Sequence, residues 1–131
     1  MVTLARILKL KIFCTILFWC LPLLFFPQAW FLRIGLPVPE PLVFIRLLGA
    51  AYLALIVTYS IGLIEVQKGR SAIQAVWTGI ISNGLACAIL TYYGFTGGWS
   101  IWSVQGQFLM WSSVILTLFI TILLIPYRYD R

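Results

Sequence analysis

The stretch GFTGGWS, residues 94–100, divides the longest uncharged run of this sequence into two halves. That run extends over residues 71–127 and contains 57 residues without a charged side chain. A helix that crosses about 30 Å of hydrocarbon needs about 20 residues, so the run is too long for one crossing and long enough for two. Three glycines among small polar residues favour a turn between them. The sequence therefore predicts a membrane-spanning helix on each side of this turn.

Charged residues divide the rest of the chain into two more apolar blocks. Residues 12–32 and 47–64 are uncharged over 21 and 18 residues, respectively. No segment alternates polar and apolar residues for long, and strands cross membranes only as closed barrels. Short connections between successive helices favour an up-and-down arrangement. We therefore expect a single all-α transmembrane domain over residues 1–131, an antiparallel four-helix bundle, with spans at about 10–31, 41–64, 71–94 and 101–125.

The composition excludes several classes of function. The chain is 63% hydrophobic and only 9% charged, whereas soluble domains carry about 25% charged residues. The net charge of +6 comes from side chains at the ends of the predicted spans, which indicates contact with anionic lipid headgroups and no nucleic-acid partner. The absence of histidine excludes histidine-ligated haem and a histidine general base, and we expect no metal site.

The first span begins with Arg6, Lys9 and Lys11 and has the basic start of a signal peptide. Its apolar core is long and no small-residue cleavage site follows, so we interpret it as a retained helix. Pro22 and Pro27 are expected to bend or end this helix near its far side, because proline lacks the backbone N–H of a helix interior.

The distribution of Lys and Arg predicts the orientation of the chain. Only Arg33, with Arg46 if its side chain reaches outward, lies on one side of the predicted membrane, and Trp30, Trp99 and Trp102 form an aromatic belt there. Both termini should therefore face the cytoplasm, in a bacterial inner membrane or an equivalent membrane. Seven basic residues lie on the cytoplasmic side: Arg6, Lys9, Lys11, Lys68, Arg70, Arg128 and Arg131.

Arg46 lies within the apolar stretch PLVFIRLLGA, residues 41–50, and a cation in hydrocarbon is costly. Three interpretations are open. The side chain reaches the headgroups, ties helices together, or binds a ligand or anion. For the second and third we expect a polar cluster of Arg46 with Gln105 or Gln107, with Glu40 near its mouth and Tyr92 nearby.

Small residues mark the second and third spans as packing surfaces. Gly79 and Cys87 lie four residues on either side of Asn83, and the second span contains Gly49 and Ala50. Small side chains let helix backbones approach, and an asparagine can form a hydrogen bond across helices. We expect these two helices to pack closely, and a substrate contact is the alternative for Asn83.

No acidic residue lies inside a predicted span, although proton-coupled transporters usually need one. Paired carboxylates and a Ser-His-Asp set cannot be assembled either. We therefore expect no catalytic residues.

The stretch FFPQAWFLRIGLPVPEPLVFIRLLGAAYLALIVTYSIGL, residues 25–63, resembles the DoxX-like group of small four-helix bacterial membrane proteins. The resemblance lies in a helix that ends at a proline, an LGLP-type link, and a second helix that opens with an RLLGA.YLAL pattern. The matching positions are 27, 35–37, 39, 46–50 and 52–55. The resemblance implies a four-helix membrane fold, and the group includes subunits linked to quinone-coupled sulfur oxidation.

Three hypotheses of function follow. The first is a non-catalytic accessory subunit of a larger membrane complex, of an electron-transport or photosynthetic type. The second is a carrier or binding protein for a small lipophilic molecule, with a pocket between helices near Arg46. The third is a DoxX-like subunit of a quinone-dependent oxidoreductase. No intrinsic cofactor is expected; the partners are membrane lipids and other membrane subunits, and lipid, quinone or pigment at the helix surface stays open.

Overall fold

The chain folds almost entirely into helices. The computed structural model describes residues 3–129, none of which forms a strand, and Arg131 of the orientation count lies outside this range. A π-helical turn, Ile16–Cys20, joins α1 to α2, and a 3-10 turn, Ile125–Tyr127, follows α6. The α-helices are α1 (Leu4–Thr15), α2 (Leu21–Phe25), α3 (Gln28–Arg33), α4 (Val43–Gln67), α5 (Ile73–Phe95) and α6 (Val104–Leu124).

Four helical segments are long and apolar enough to cross a membrane, as the sequence predicted. They are called the first to fourth spans below, and each exceeds the length of about 20 residues that the hydrocarbon requires. The segments are Leu4–Phe25, Val43–Gln67, Ile73–Phe95 and Val104–Tyr127.

The first span begins at Leu4, six residues before the start that we expected, and it ends at Phe25. Its early start follows from buried residues at helical spacing, because Leu4, Ile7 and Leu8 already face the protein interior. Phe26 has an extended backbone and Pro27 follows it, so the segment from Gln28 forms the separate helix α3.

The first span remains helical through Pro22 because the turn before the proline is wider. A proline ring crowds the carbonyl group four residues earlier in an α-helix and cannot donate to it. The π-helical turn Ile16–Cys20 lies immediately before α2, in which Pro22 is the second residue. π-helical turns occur as single insertions where the regular ladder is interrupted.

One hydrophobic core joins all four spans. Tyr59 of α4 is fully buried at its centre. Packing of side chains is a main source of affinity between helices in lipid, so this core holds the spans together. The buried core residues are Leu4, Ile7, Leu8, Tyr59, Ala72, Ala75, Val76, Ile120 and Leu124.

Helices α4 and α5 are closest near the short connection that joins them. Gly62 lies against Ala75, so closely that a methyl group on Gly62 would overlap the Ala75 side chain. About two turns further along α5, the Tyr59 hydroxyl and the Ser82 hydroxyl share a hydrogen bond of 2.9 Å. These contacts hold the two helices together in the half of the protein that contains the core.

In the other half, α4 and α5 have different neighbours. Gly49 of α4 is buried against Leu23 and Leu24 of α2. Cys87 of α5 lies 3.8 Å, Sγ to O, from the carbonyl oxygen of Val114 in α6. In this half, α4 packs against α2 and α5 packs against α6. A space therefore remains between these two pairs of helices.

Candidate functional site

The four spans enclose a cavity of about 520 Å³. Each span contributes at least four side chains to its wall, and most of the wall is apolar. Pockets that bind small molecules in proteins have volumes of about 300–1,000 Å³ and mostly apolar walls with a few polar groups. The cavity is therefore large enough for a small ligand and has the character of a ligand site.

Lys11 supplies the charged group of this cavity and is only 7% exposed. Its Nζ donates a hydrogen bond of 2.6 Å to Asn83 Oδ1 and lies 5.2 Å from the centre of the Tyr59 ring. Asn83 in turn donates from Nδ2 to the carbonyl oxygen of Gly79, at 2.7 Å. That second bond fixes the amide so that its oxygen faces Lys11.

Lys11 lies within the first candidate membrane span and has no carboxylate partner among residues 3–129. It is the eighth residue of the first span, about 10 Å from the start of the helix at 1.5 Å per residue. The ion pair that the described chain does form joins Arg70 to Glu65, where α4 ends. A lysine at the centre of a membrane helix costs about 2.5–3.5 kcal/mol, so the charge of Lys11 needs compensation.

Two of the hydroxyl groups that line the cavity are engaged elsewhere. Thr117 donates to the carbonyl oxygens of Ser113 and Val114 on its own helix, at 2.8 and 3.0 Å. Ser82 shares its hydrogen bond with Tyr59. Lys11 keeps free donor capacity, because an ammonium group carries three donors and Asn83 accepts one of them. The Thr15 hydroxyl lines the cavity one helical turn from Lys11.

The opposite end of the cavity is apolar and opens to the side of the protein. Trp19 stacks on Tyr52 with ring centres 5.4 Å apart and forms one wall. Leu48 and Ala51 of α4 and Ile89 of α5 line the cavity and are exposed at the protein surface, Ile89 to 56%. This lateral opening lies between α4 and α5, among apolar side chains exposed at the surface of the spans.

Arg46 binds backbone carbonyl groups of the first span. Its Nη1 donates to the Leu23 oxygen at 2.7 Å and its Nη2 to the Phe26 oxygen at 2.6 Å. Pro27 has no N–H for the Leu23 oxygen, and the Trp30 N–H bonds to the Pro27 oxygen instead of that of Phe26. Arg46 therefore replaces two missing backbone donors and ties α4 to the end of α2.

The hydrogen-bonded cluster that we expected between Arg46 and a glutamine is not formed within residues 3–129. Gln107 donates from Nε2 to the carbonyl oxygens of Ser100 and Trp102, at 3.1 and 3.0 Å, and so closes the turn before α6. Gln105 is exposed. In place of a glutamine, the structure gives Arg46 the carbonyl oxygens of Leu23 and Phe26, which Pro27 leaves without backbone donors.

Glu40 and Tyr92 are also separate from the cavity. Both are exposed, Glu40 in the link before α4 and Tyr92 near the end of α5, where its ring contacts that of Tyr93 edge to face. Neither side chain lines the cavity around Lys11.

The small residues contact more helices than we expected. Gly79 lies between neighbours on both sides, since a methyl group there would be 2.5 Å from Leu124 of α6 and 3.6 Å from the Tyr59 ring of α4. Ala50 is exposed, and Gly49 packs on the first span and not on α5. Close packing of the second and third spans therefore depends on Gly62 and Ala75 near their connection.

Of the residues that line the cavity, the sequence analysis singled out Asn83. It did not identify Lys11, the charged residue of the cavity, because Lys11 was counted with the basic flank of the first span. A signal for it exists in the sequence. The buried residues of α1 recur at helical spacing, and Lys11 occupies one position of that series, whereas Lys9 is exposed. The series consists of Leu4, Ile7, Leu8, Lys11 and Thr15.

Comparison of the chain with models of known families, with curated proteins and with solved structures gives no match. The resemblance to DoxX-like proteins therefore stays a prediction. Among residues 3–129, no group of three or more His, Cys, Asp or Glu side chains is arranged to hold a metal ion.

Proposed function

We propose that this protein is a non-catalytic membrane protein that binds and carries a small lipophilic molecule in the cavity between its spans. The observation that carries the proposal is the cavity of about 520 Å³, whose apolar walls end at the buried ammonium group of Lys11. Binding sites combine apolar walls with a few placed polar groups in this way.

We further propose that the spans form an antiparallel four-helix bundle with both termini in the cytoplasm. Lys11 is buried in the cavity and therefore does not count as a charge of a cytoplasmic loop. Without Lys11, the cytoplasmic side still carries more basic residues than the outer side. On the outer side, Arg33 is exposed while Arg46 is bound to carbonyl groups. The exposed basic residues on the cytoplasmic side are Arg6, Lys9, Lys68, Arg70 and Arg128.

The ligand would reach the cavity from the hydrocarbon through the lateral opening. Leu48, Ala51 and Ile89 both line the cavity and are exposed between α4 and α5. A lipophilic molecule is concentrated in the bilayer, and this path lets it enter without crossing water.

A photoreactive alkyl chain tests the proposal. The purified protein is incubated with an alkyl diazirine with an alcohol head group, irradiated, and mapped by mass spectrometry. We expect cross-links to cavity residues such as Leu90 and Met110. Ala51→Trp should reduce them because the indole fills the lateral opening, whereas Ala50→Trp, on an exposed position outside the cavity wall, should not. Cross-links confined to the outer surface of the spans in the wild-type protein would refute the proposal.

Exposed small residues favour a second candidate, an accessory subunit of a larger membrane complex. Ala50 and Ala54 are four residues apart on α4 and both are exposed. This spacing lets another helix approach closely in lipid. Solubilisation in a mild detergent followed by native mass measurement tests it, since an accessory subunit should co-purify with partner chains and lose them in Ala54→Leu. A wild-type protein that runs alone would contradict this candidate.

A further inference from the structure

We infer that the molecule in the cavity is a single-chain lipophilic carboxylic acid, whose carboxylate pairs with Lys11 and whose chain extends toward the lateral opening. This inference rests on the proposed function and adds the chemical class of the ligand. It is drawn from the charge, the hydrogen-bond donors and the shape of the cavity.

The first step is charge. Lys11 is buried in the hydrocarbon-spanning part of the first span, and the structure gives it a neutral acceptor, Asn83, as its hydrogen-bond partner. The two acidic residues of the described chain are elsewhere, since Glu65 pairs with Arg70 and Glu40 is exposed in the link before α4. Ionisable groups inside a membrane normally pair with an opposite charge. A bound anion would supply the charge that the protein itself does not.

The second step is the direction of the hydrogen bonds. Asn83 turns its oxygen to Lys11 and its Nδ2 to the Gly79 carbonyl, so the amide has no donor directed at a ligand. Thr117 donates to its own helix. The charged donor that remains for a ligand is the ammonium of Lys11, which donates only. The Thr15 hydroxyl also lines the cavity, one helical turn from Lys11, and can donate or accept. The ligand group that pairs with Lys11 must therefore be an acceptor, and a carboxylate combines acceptor oxygens with the missing negative charge.

The third step is shape. A single charged group faces a cavity whose other end, at Leu48, Ala51 and Ile89, is apolar and open to lipid. One ammonium matches one monoanionic head, and the lateral opening accommodates one apolar chain. A neutral quinone could accept a hydrogen bond from Lys11 but would leave its charge uncompensated. A phosphate monoester would bring up to two negative charges to one ammonium group.

Three alkyl diazirine probes with the same chain test the ligand class. Their head groups are a carboxylate, an alcohol and a trimethylammonium group. We expect the carboxylate probe to label the cavity at a concentration about tenfold or more below that of the alcohol, because a charge-assisted hydrogen bond is worth at least that ratio. The trimethylammonium probe should label least, since like charges repel.

Variants at Lys11 separate the charge from the fold. Lys11→Met should abolish the preference for the carboxylate while the alcohol probe still labels the cavity, which shows that the cavity is intact. Lys11→Arg should retain part of the preference, because a guanidinium also pairs with a carboxylate. Lys9→Met is the matched control, since Lys9 is exposed on the same helix.

The outcomes distinguish this inference from the proposed function. Equal labelling by the carboxylate and alcohol probes, in the wild type and in Lys11→Met alike, would overturn the inference and leave the binding function standing. Displacement of the carboxylate probe by an uncharged quinone or an alkyl phosphate at lower concentration than by the parent carboxylic acid would also overturn it. Failure of all three probes to label the cavity would refute the proposed function itself.

Discussion

Arg46 supplies the hydrogen-bond donor that Pro27 lacks. The Leu23 oxygen, which would accept from residue 27 in a continuous helix, accepts from the Arg46 guanidinium at 2.7 Å. In hydrocarbon, an unsatisfied backbone group costs several kcal/mol because no water is present to bind it. A permanent charge within an apolar run therefore stabilises the place where the first span ends and α3 begins.

Replacing Arg46 should destabilise the protein more than replacing another arginine on the same side. We expect Arg46→Met to lower the free energy of unfolding in detergent by about 3 kcal/mol, because two carbonyl groups lose a charged donor. Arg46→Lys should fall between this variant and the wild type, since a single ammonium lacks the planar fork of a guanidinium. Arg33→Met, on an exposed position, is the control, and an equal loss in both methionine variants would contradict the role of Arg46.

Arg46 and Lys11 show which features of the fold and the site can be predicted from the sequence and which cannot. The charges of the chain and the glycines at 94–100 predict four spans, and the cost of a buried guanidinium leaves a tie between helices as one of three interpretations of Arg46. The partners of Arg46 could not be predicted, since they are backbone carbonyls freed by a proline 19 residues earlier. Lys11 was predicted at the membrane surface because it follows Arg6 and Lys9, and only the face of the helix that it shares with Leu4 and Leu8 places it inside.

The bond between Lys11 and Asn83 should be visible as an interaction energy between two variants. Asn83→Leu removes the acceptor of a buried ammonium, and we expect a loss of about 1–2 kcal/mol of unfolding free energy in the unliganded protein. Lys11→Met in the same chain should recover most of this loss, because it removes the charge that lost its partner. Unfolding of the two single variants and the double variant measures the coupling, and additive losses would contradict the contact.

The close approach of α4 and α5 depends on the absence of a side chain at Gly62. A methyl group there would overlap the Ala75 side chain, which has no rotamer to move away, so Gly62→Ala should cost about 1–3 kcal/mol of stability. Gly84→Ala is the matched control on α5, since its methyl group would lie 3.9 Å from Thr121 at ordinary contact distance. Thermal unfolding in detergent should rank Gly62→Ala well below the wild type, with Gly84→Ala unchanged or higher.

A bound lipophilic acid should protect one native cysteine and not another. Cys14 lines the cavity, whereas Cys87 lies outside its wall, and both are free and half-buried. We expect saturating dodecanoate to slow the reaction of a small apolar thiol reagent with Cys14 severalfold and to leave Cys87 unaffected. Mass spectrometry of the two peptides measures both rates in one sample. Equal protection of both cysteines would indicate a general detergent-like effect and would count against a ligand in the cavity.

The proposed orientation follows from the exposed basic residues and can be read from two loop positions. In a cysteine-free variant, Ser100→Cys in the turn between α5 and α6 should react with a membrane-impermeant maleimide in intact cells. Lys68→Cys in the connection between α4 and α5 should react only after the membrane is opened, because positively charged loops stay in the cytoplasm. The two positions lie at opposite ends of α5, about 35 Å apart at 1.5 Å per residue, so one membrane separates them. The opposite labelling pattern would reverse the orientation, and labelling of both positions in intact cells would exclude α5 as a membrane-spanning helix.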